Sequence, residues 1–251
     1  MGIFNARFTS TVKRGTLMQR GYESYQNRIN RGYESYQNRI NRGYESYQNR
    51  INKMGEKLIL FWRNNMLVNW KIINEDYLNY LRNNYEPRIP FSDYGLNKFK
   101  PFFGSLFDVD NSITYVTQIS HPQERHKALK QNIDFYKIYH PTDGRFIAVI
   151  NLNYMFPIHK SLFTDLQYGD IEKYRIFNNL EEKSKYIDLL KIELVKINQL
   201  PVVKNALKIY ELKYKYPENI ITRRCFDFKK LEKICMEYIT MQEVAASKEN
   251  V

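Results

Sequence analysis

Residues 101–126 read PFFGSLFDVDNSITYVTQISHPQERH. Two β-rich runs, 101–109 and 112–119, flank the cluster DVDNS at 108–112. Asp, Asn and Ser close turns by bonding their own backbone, so the stretch predicts a β-hairpin. The second run leaves into SHPQERH (120–126), predicted as a polar loop. Loops leaving a scaffold strand are where sites are usually built.

The same pattern extends outward. IDFYKIY (133–139) and RFIAVINL (145–152) flank HPTDG, a second hairpin signal, and a third β segment lies near MFPIHKSLF (155–163). Upstream, LVNWKII (67–73) alternates as a strand does. Asn74 is the expected N-cap of a helix over EDYLNYLRNNY, with Tyr77, Tyr80 and Leu81 on one face, ended by Pro87 and Pro90. From Asp170 the spacing turns helical: IEKYRIFNNL (171–180), EEKSKYIDLLKIELVKINQL (181–200) and PVVKNALKIYELKYK (201–215), with Pro201 where a new helix starts. Asp227 is placed to cap FKKLEKICMEYI, and the tail VAASKENV is expected to fray. Strands first and helices after indicate an α+β fold on an antiparallel sheet.

At 251 residues the chain fits one domain plus an extension, or two small domains. It has no long apolar run, so no membrane span is expected, and its first residues lack the apolar core of a secretory signal. MGIFNA approximates a myristoylation pattern but has Ala6 where Ser or Thr is wanted. Cys225 and Cys235 read as reduced core residues of a cytoplasmic protein. The formal charge of +12 suggests an anionic partner. Its distribution matters: residues 1–65 hold 12 Lys/Arg against 4 Asp/Glu, and residues 66–251 hold 27 against 23. Any nucleic-acid site in the larger part must therefore be a local patch.

The extension contains RGYESYQNRIN three times without a difference, over 20–52. Its apolar residues recur at spacings of 3, 4 and 4, the stripe of a right-handed coiled coil. Each unit also carries a Gly costing about 1 kcal/mol relative to Ala in a helix. A marginal helix or disorder are the two readings. KMGEKLILFWRNN, which follows, belongs to no clear element.

The chemistry concentrates in 94–127. Ser120, His121, Gln123, Arg125, His126 and Lys127 lie within eight residues, and Lys98 and Lys100 precede the paired strand. Such a set suits a scissile phosphate in RNA. Histidine serves as acid or base near neutral pH; lysine and serine stabilise the transition-state charge. Tyr94, Phe99, Phe102 and Phe103 are either stacking faces for bases or core. His121 and His126 are poorly spaced for a metal, and no carboxylate–Cys set completes a site, so no metal and no cofactor are expected. His140 reads as solvated and His159 as structural. No Walker loop, G-x-G-x-x-G, G-x-S-x-G or H-E-x-x-H is present, which takes support from nucleotide hydrolysis, dinucleotide redox chemistry and zinc proteolysis.

The ordered succession NKFKPFFGSLFDVDN, YVTQISHPQERHKALKQNIDFYKIY, GRFIAVINLNYMFPI and RRCFDFKKLEKICMEY resembles the ToxN/AbiQ toxins of type III toxin–antitoxin systems, over about 67–238. The resemblance implies a twisted antiparallel sheet wrapped by helices, related to Kid/MazF-like toxins. It implies a metal-independent endoribonuclease leaving a 2′,3′-cyclic phosphate. It also implies inhibition by a small structured RNA antitoxin, assembled with the toxin into a closed hetero-oligomer, in phage defence or plasmid maintenance. Carried over by residue, the family's Lys falls on Lys100 and its upstream Tyr on Tyr94. Its hydroxyl pair with the following Pro and Lys falls on Ser120, His121, Pro122 and Gln123, and its later His on His126. Here His121 stands where a second Ser is common and Gln123 where a Lys is common. The lost cation weakens phosphate stabilisation unless Arg125 or Lys127 compensates, and the gained imidazole offers a general base.

Two other readings compete: a non-enzymatic RNA-binding module with a basic Tyr-rich tail, and a structural protein oligomerising through the repeat. The resemblance begins just after the extension, and in these systems the antitoxin is a tandem nucleotide repeat upstream of the toxin frame. Each unit would correspond to a repeat of about 33 nucleotides. Residues 62–66, WRNNM, can be encoded as a ribosome-binding sequence before a start codon, and 57–61, KLILF, permits the U-rich run of a terminator. Residues 1–65 are thus expected to be a translated antitoxin array and leader, and 66–251 the endoribonuclease domain.

Overall fold

The computed structural model describes residues 67–95 and 98–249, together with Arg42. The readings made of the repeats, of 53–66 and of the last two residues lie outside the described residues.

Five α-helices and seven strands follow in the order β1 (Asn69–Ile73), α1 (Glu75–Asn84), β2 (Phe102–Asp108), β3 (Ile113–Ser120), α2 (Glu124–Ala128), β4 (Phe135–Tyr139), β5 (Phe146–Asn151), β6 (Phe156–His159), β7 (Phe163–Asp165), α3 (Leu180–Asn198), α4 (Val202–Lys215) and α5 (Phe228–Glu249), among the described residues. The sheet runs β4-β5-β3-β2-β1-β7, and β6 pairs with the first half of β3. Every pairing is antiparallel. The α+β reading therefore holds.

Local chemistry sets the element boundaries. The Asn74 side chain accepts from the Tyr77 amide at 2.9 Å, capping α1 as expected. In the β2–β3 turn, Asp110 Oδ1 accepts from the amides of Ser112 and Ile113, both at 2.7 Å. The ladder pairs Phe102 with Gln118, Phe103 with Thr117 and Gly104 with Val116. Gly104 is obligatory there, because a Cβ would lie 2.7 Å from Val116 Cγ1 and 3.0 Å from the Tyr115 carbonyl. The second hairpin turns at Gly144, whose φ of +66° favours glycine.

The core forms between the sheet and the C-terminal helices. Trp70, Phe102, Phe103, Leu106 and Tyr115 are fully buried. Trp70 Nε1 donates to the Leu190 carbonyl at 3.0 Å, tying β1 to α3. Tyr115 stacks on Phe107 with centroids 4.5 Å apart and meets Phe228 of α5 edge-on. Its hydroxyl donates to Glu232 at 2.7 Å, satisfying the polar end of a buried ring. Both cysteines are free and buried.

Several expectations are corrected. Part of 120–126 is not loop: α2 begins at Glu124, because Gln123 and His126 cap its first turn reciprocally. IEKYRIFNNL is not an α-helix. Its start closes a short 3-10 turn, Tyr168–Lys173, and α3 begins at Leu180, where the Asn179 side chain accepts from the Glu182 amide. MFPIHKSLF forms two strands, not one, separated by the turn Lys160–Leu162. The tail does not fray at Val244: α5 continues to Glu249 through strong helix formers. His140 is not simply solvated, as its Nδ1 lies 3.1 Å from the Asp143 carboxylate. His159 Nδ1 accepts from the Ser161 amide at 3.2 Å, a structural role as expected.

Candidate active site

Lys100 lies two residues before Phe102 and Ser120 two residues after its ladder partner Gln118, and both line one cleft. Residues 23 apart at their furthest in the chain, Lys98 to His121, are brought together in that cleft where β2 begins and β3 ends. Pro101 has no amide to give the ladder, and the Lys100 amide donates instead to the Ser92 carbonyl at 2.8 Å. The segment before β2 is then fastened by one buried side chain. Gln118 Nε2 donates to the carbonyls of Phe91 (2.8 Å) and Lys100 (2.9 Å), while its Oε1 accepts from the Tyr94 hydroxyl at 2.8 Å. Lys100 Nζ sits 4.9 Å from the Tyr94 ring centroid, a cation–π contact that orients the ammonium.

Lys98, Lys100, Ser120 and His121 line a cleft of about 600 Å³ together with Arg175 and with Tyr186, Leu189 and Glu193 of α3. The walls between are largely apolar, from Phe99, Ile119, Ile147 and Ala148. Burial lowers the pKa of Lys100, with Glu193 opposing and Lys98 assisting. Burial also lowers that of His121, aided by the ammonium groups of Lys100 and Lys98, so its imidazole is neutral at pH 7. Glu193 is 4 % exposed. Burial pushes its carboxyl up to about 8, against the pull of Lys100. Between about 4.5 and 8 the unfolded chain ionises this group while the folded chain keeps its proton. Glu193 therefore costs stability that grows as pH rises through that window. Arg175 donates to Glu182 at 3.1 Å and lies 4.4 Å from the Tyr186 ring centroid; its Nε is buried without a partner.

The remaining sequence candidates are not in the cleft. Gln123 and Arg125 are exposed on the turn that starts α2. Lys127 is exposed and paired with Glu124 at 2.8 Å, a contact of small energetic weight. His126 points inward, 8 % exposed, its ring 5.8 Å from Phe135 and its Nδ1 accepting from the Gln123 amide at 3.1 Å. Its burial follows from its capping role and leaves it no face for RNA. Phe99, Phe102 and Phe103 are core; only Tyr94 of the four aromatics is exposed.

Sequence reading missed Gln118, Arg175, Tyr186 and Glu193. One signal was available for Glu193: it sits between Leu190 and Ile197 at spacings of three and four, a charge in the apolar stripe of α3. Nothing local marks Gln118 or Arg175. Among the described residues no group of three or more His, Cys, Asp or Glu is placed to hold a metal ion, and no helix is long and apolar enough to cross a membrane.

The family model described as toxin ToxN, type III toxin–antitoxin system, matches residues 69–236. No curated protein sequence matches the chain. Similar solved structures include a toxin of a bacterial type III system selectively inhibited by a non-coding RNA pseudoknot. It shares 18% identity over 69% of this chain and 98% of that one, with a TM-score of 0.55. AbiQ, a lactococcal anti-phage endoribonuclease of the type III systems, shares 14% identity over 70% of this chain and 99% of its own, with a TM-score of 0.54. A third, from a bacterial antiviral system regulated by a processed non-coding RNA, shares 18% over 66% and 95%, with a TM-score of 0.50. At these identities the likeness is one of fold.

Proposed function

We propose that this chain, which belongs to the ToxN family of toxins of type III toxin–antitoxin systems, is a metal-independent endoribonuclease acting in the Lys100–Ser120–His121 cleft. The observation that carries the proposal is that Lys100, Ser120 and His121 line one cleft, with Lys100 held over the Tyr94 ring. His121, neutral at pH 7, accepts the proton of the 2′-hydroxyl. The oxygen attacks the adjacent phosphorus, and the Lys100 ammonium offsets the negative charge gained by the phosphorane. Ser120 donates a hydrogen bond to a non-bridging oxygen. Tyr94 keeps its own proton on Gln118, so its part is to hold Lys100 in place. The products are a 2′,3′-cyclic phosphate and a 5′-hydroxyl.

The partner that fits is a small structured RNA. A single strand of it occupies the same cationic cleft as the substrate, and toxin and RNA close into a hetero-oligomer. A pseudoknot RNA inhibits one of the similar toxins. Lys98 contributes charge at the cleft mouth; Gln123, Arg125 and Lys127 serve at most the outer path of the RNA. The work of the protein is then control of cytoplasmic RNA in phage defence or plasmid maintenance, on a sheet related to that of Kid/MazF-like toxins. The domain is proposed to span 66–251, with 1–65 a translated antitoxin array and leader. A native intact mass that starts at Met1 overturns that boundary.

The test is incubation of the full chain with a model RNA in EDTA, followed by analysis of the product ends. Cyclic phosphate and 5′-hydroxyl ends are expected. The pH profile of kcat/KM should rise through the pKa of His121, which lies below the ordinary 6.5. His121→Ala should lower the rate about 10²–10⁴-fold and flatten that limb. RNA bound but left intact by the wild type points to the non-enzymatic RNA-binding module instead.

A further inference from the structure

A base and a phosphorane stabiliser leave one proton unassigned in this reaction. The departing 5′-oxygen leaves as an alkoxide unless a donor meets it. In-line displacement puts the attacking 2′-oxygen and the leaving 5′-oxygen on opposite sides of phosphorus. Acid and base must therefore come from opposing walls. His121 lines the cleft from the end of β3, and α3 lines it with Tyr186, Leu189 and Glu193.

The groups on and near that wall can be sorted by where their protons are. The Tyr186 hydroxyl donates to the Phe99 carbonyl at 2.7 Å. Glu182 is held ionised by the Asn178 amide and the Arg175 guanidinium. Arg175 and Lys185 are cations on the N-terminal stretch of the cleft. Glu193 differs from all of these: it lines the same cleft and its carboxyl is buried beside the Lys100 ammonium. Its electrostatic neighbours are Lys100 from before β2 and Tyr186 of its own helix; Lys98 and His121 line the same cleft, to which β5 contributes only Ile147 and Ala148.

We infer that Glu193 is the general acid of this cleavage, protonating the 5′-oxygen from the α3 wall. The inference rests on the ribonuclease reading above. The step balances: the 2′-oxygen–phosphorus bond forms and the phosphorus–5′-oxygen bond breaks. The 2′-hydroxyl proton goes to His121 and the Glu193 proton goes to the leaving oxygen. Water then returns the proton from imidazolium to carboxylate. Burial that keeps the carboxyl protonated up to about 8 supplies an acid at neutral pH. The carboxylate formed faces the Lys100 ammonium, which is released from the phosphorane charge as the bond breaks.

The experiment compares the full-length wild type, Glu193→Gln and His121→Ala on two RNAs. One has an ordinary scissile linkage and the other a bridging 5′-sulfur, whose thiolate leaves without a proton. On ordinary RNA, Glu193→Gln should be slower by about 10²–10³-fold, and the alkaline fall of kcat/KM near 8 should vanish. On the sulfur-substituted RNA it should come within about threefold of the wild type, while His121→Ala stays slow. Thermal unfolding of Glu193→Gln at or above the wild-type temperature shows that the fold is kept. Equal slowing on both RNAs means that Glu193 only positions Lys100 and overturns the inference, as does an unaltered rate. A wild type that cleaves neither RNA defeats the ribonuclease reading itself.

Discussion

Replacing Lys100 by alanine should lower the single-turnover rate of RNA cleavage about 10³-fold, while binding of an uncleavable 2′-deoxy RNA changes by no more than about threefold. The asymmetry follows from where the ammonium sits. It is partly buried, orients over the Tyr94 ring, and lines the same cleft as Ser120 and His121. A ground-state phosphodiester carries one negative charge and the phosphorane carries more. A fixed cation in an apolar-walled cleft therefore stabilises the second more than the first. The other cations of the cleft, Lys98, Arg175 and Lys185, keep ground-state affinity when Lys100 is gone. Rate and affinity falling together would show Lys100 to be a simple phosphate contact. An unchanged rate would remove it from the chemistry.

Gly104→Ala should destabilise the chain by about 2–3 kcal/mol, a fall of roughly 5–10 °C in the thermal midpoint. The added methyl meets Val116 Cγ1 at 2.7 Å and the Tyr115 carbonyl at 3.0 Å. Neither can retreat, since β-branched valine is stiff at χ1 and the carbonyl belongs to the central strand β3. β2 would have to move away from β3, and with it the segment that carries Lys100. Cleavage should therefore fall in the same variant, below the melting transition. Gly169→Ala is the control: a Cβ there meets nothing within 4 Å, so its stability should stay within about 0.5 kcal/mol of the wild type. Equal midpoints for the two variants would refute the close β2–β3 approach.

How much of the site was legible depends on how each residue is placed. Lys100, Ser120 and His121 were legible as candidates because they flank the two strands of one hairpin, although the register shifts between Gly104 and Asp108 and the turn alone does not set their alignment. Tyr94 lay one step further, since its place depends on Gln118 reaching back across the strand edge. His126 went astray for a local reason: its ring closes the first turn of α2, so a residue read as a surface contact is consumed in capping. IEKYRIFNNL carried helical spacing, yet Asn179 starts α3 later and Arg175 and Phe177 stay outside any helix before it, with Arg175 packed on Tyr186.

The sequence by itself determined the antiparallel hairpins, the cap at Asn74, the reduced cysteines and the strand edge bearing the lysines, serine and histidine. Each of these depends on residues a few positions apart, or on one turn. Tertiary structure alone decided the second wall of the cleft. Glu193 lies 93 positions after Lys100 and meets it only because α3 packs against the sheet. Its retained proton is a consequence of desolvation, which belongs to the packed core and to no segment of the chain.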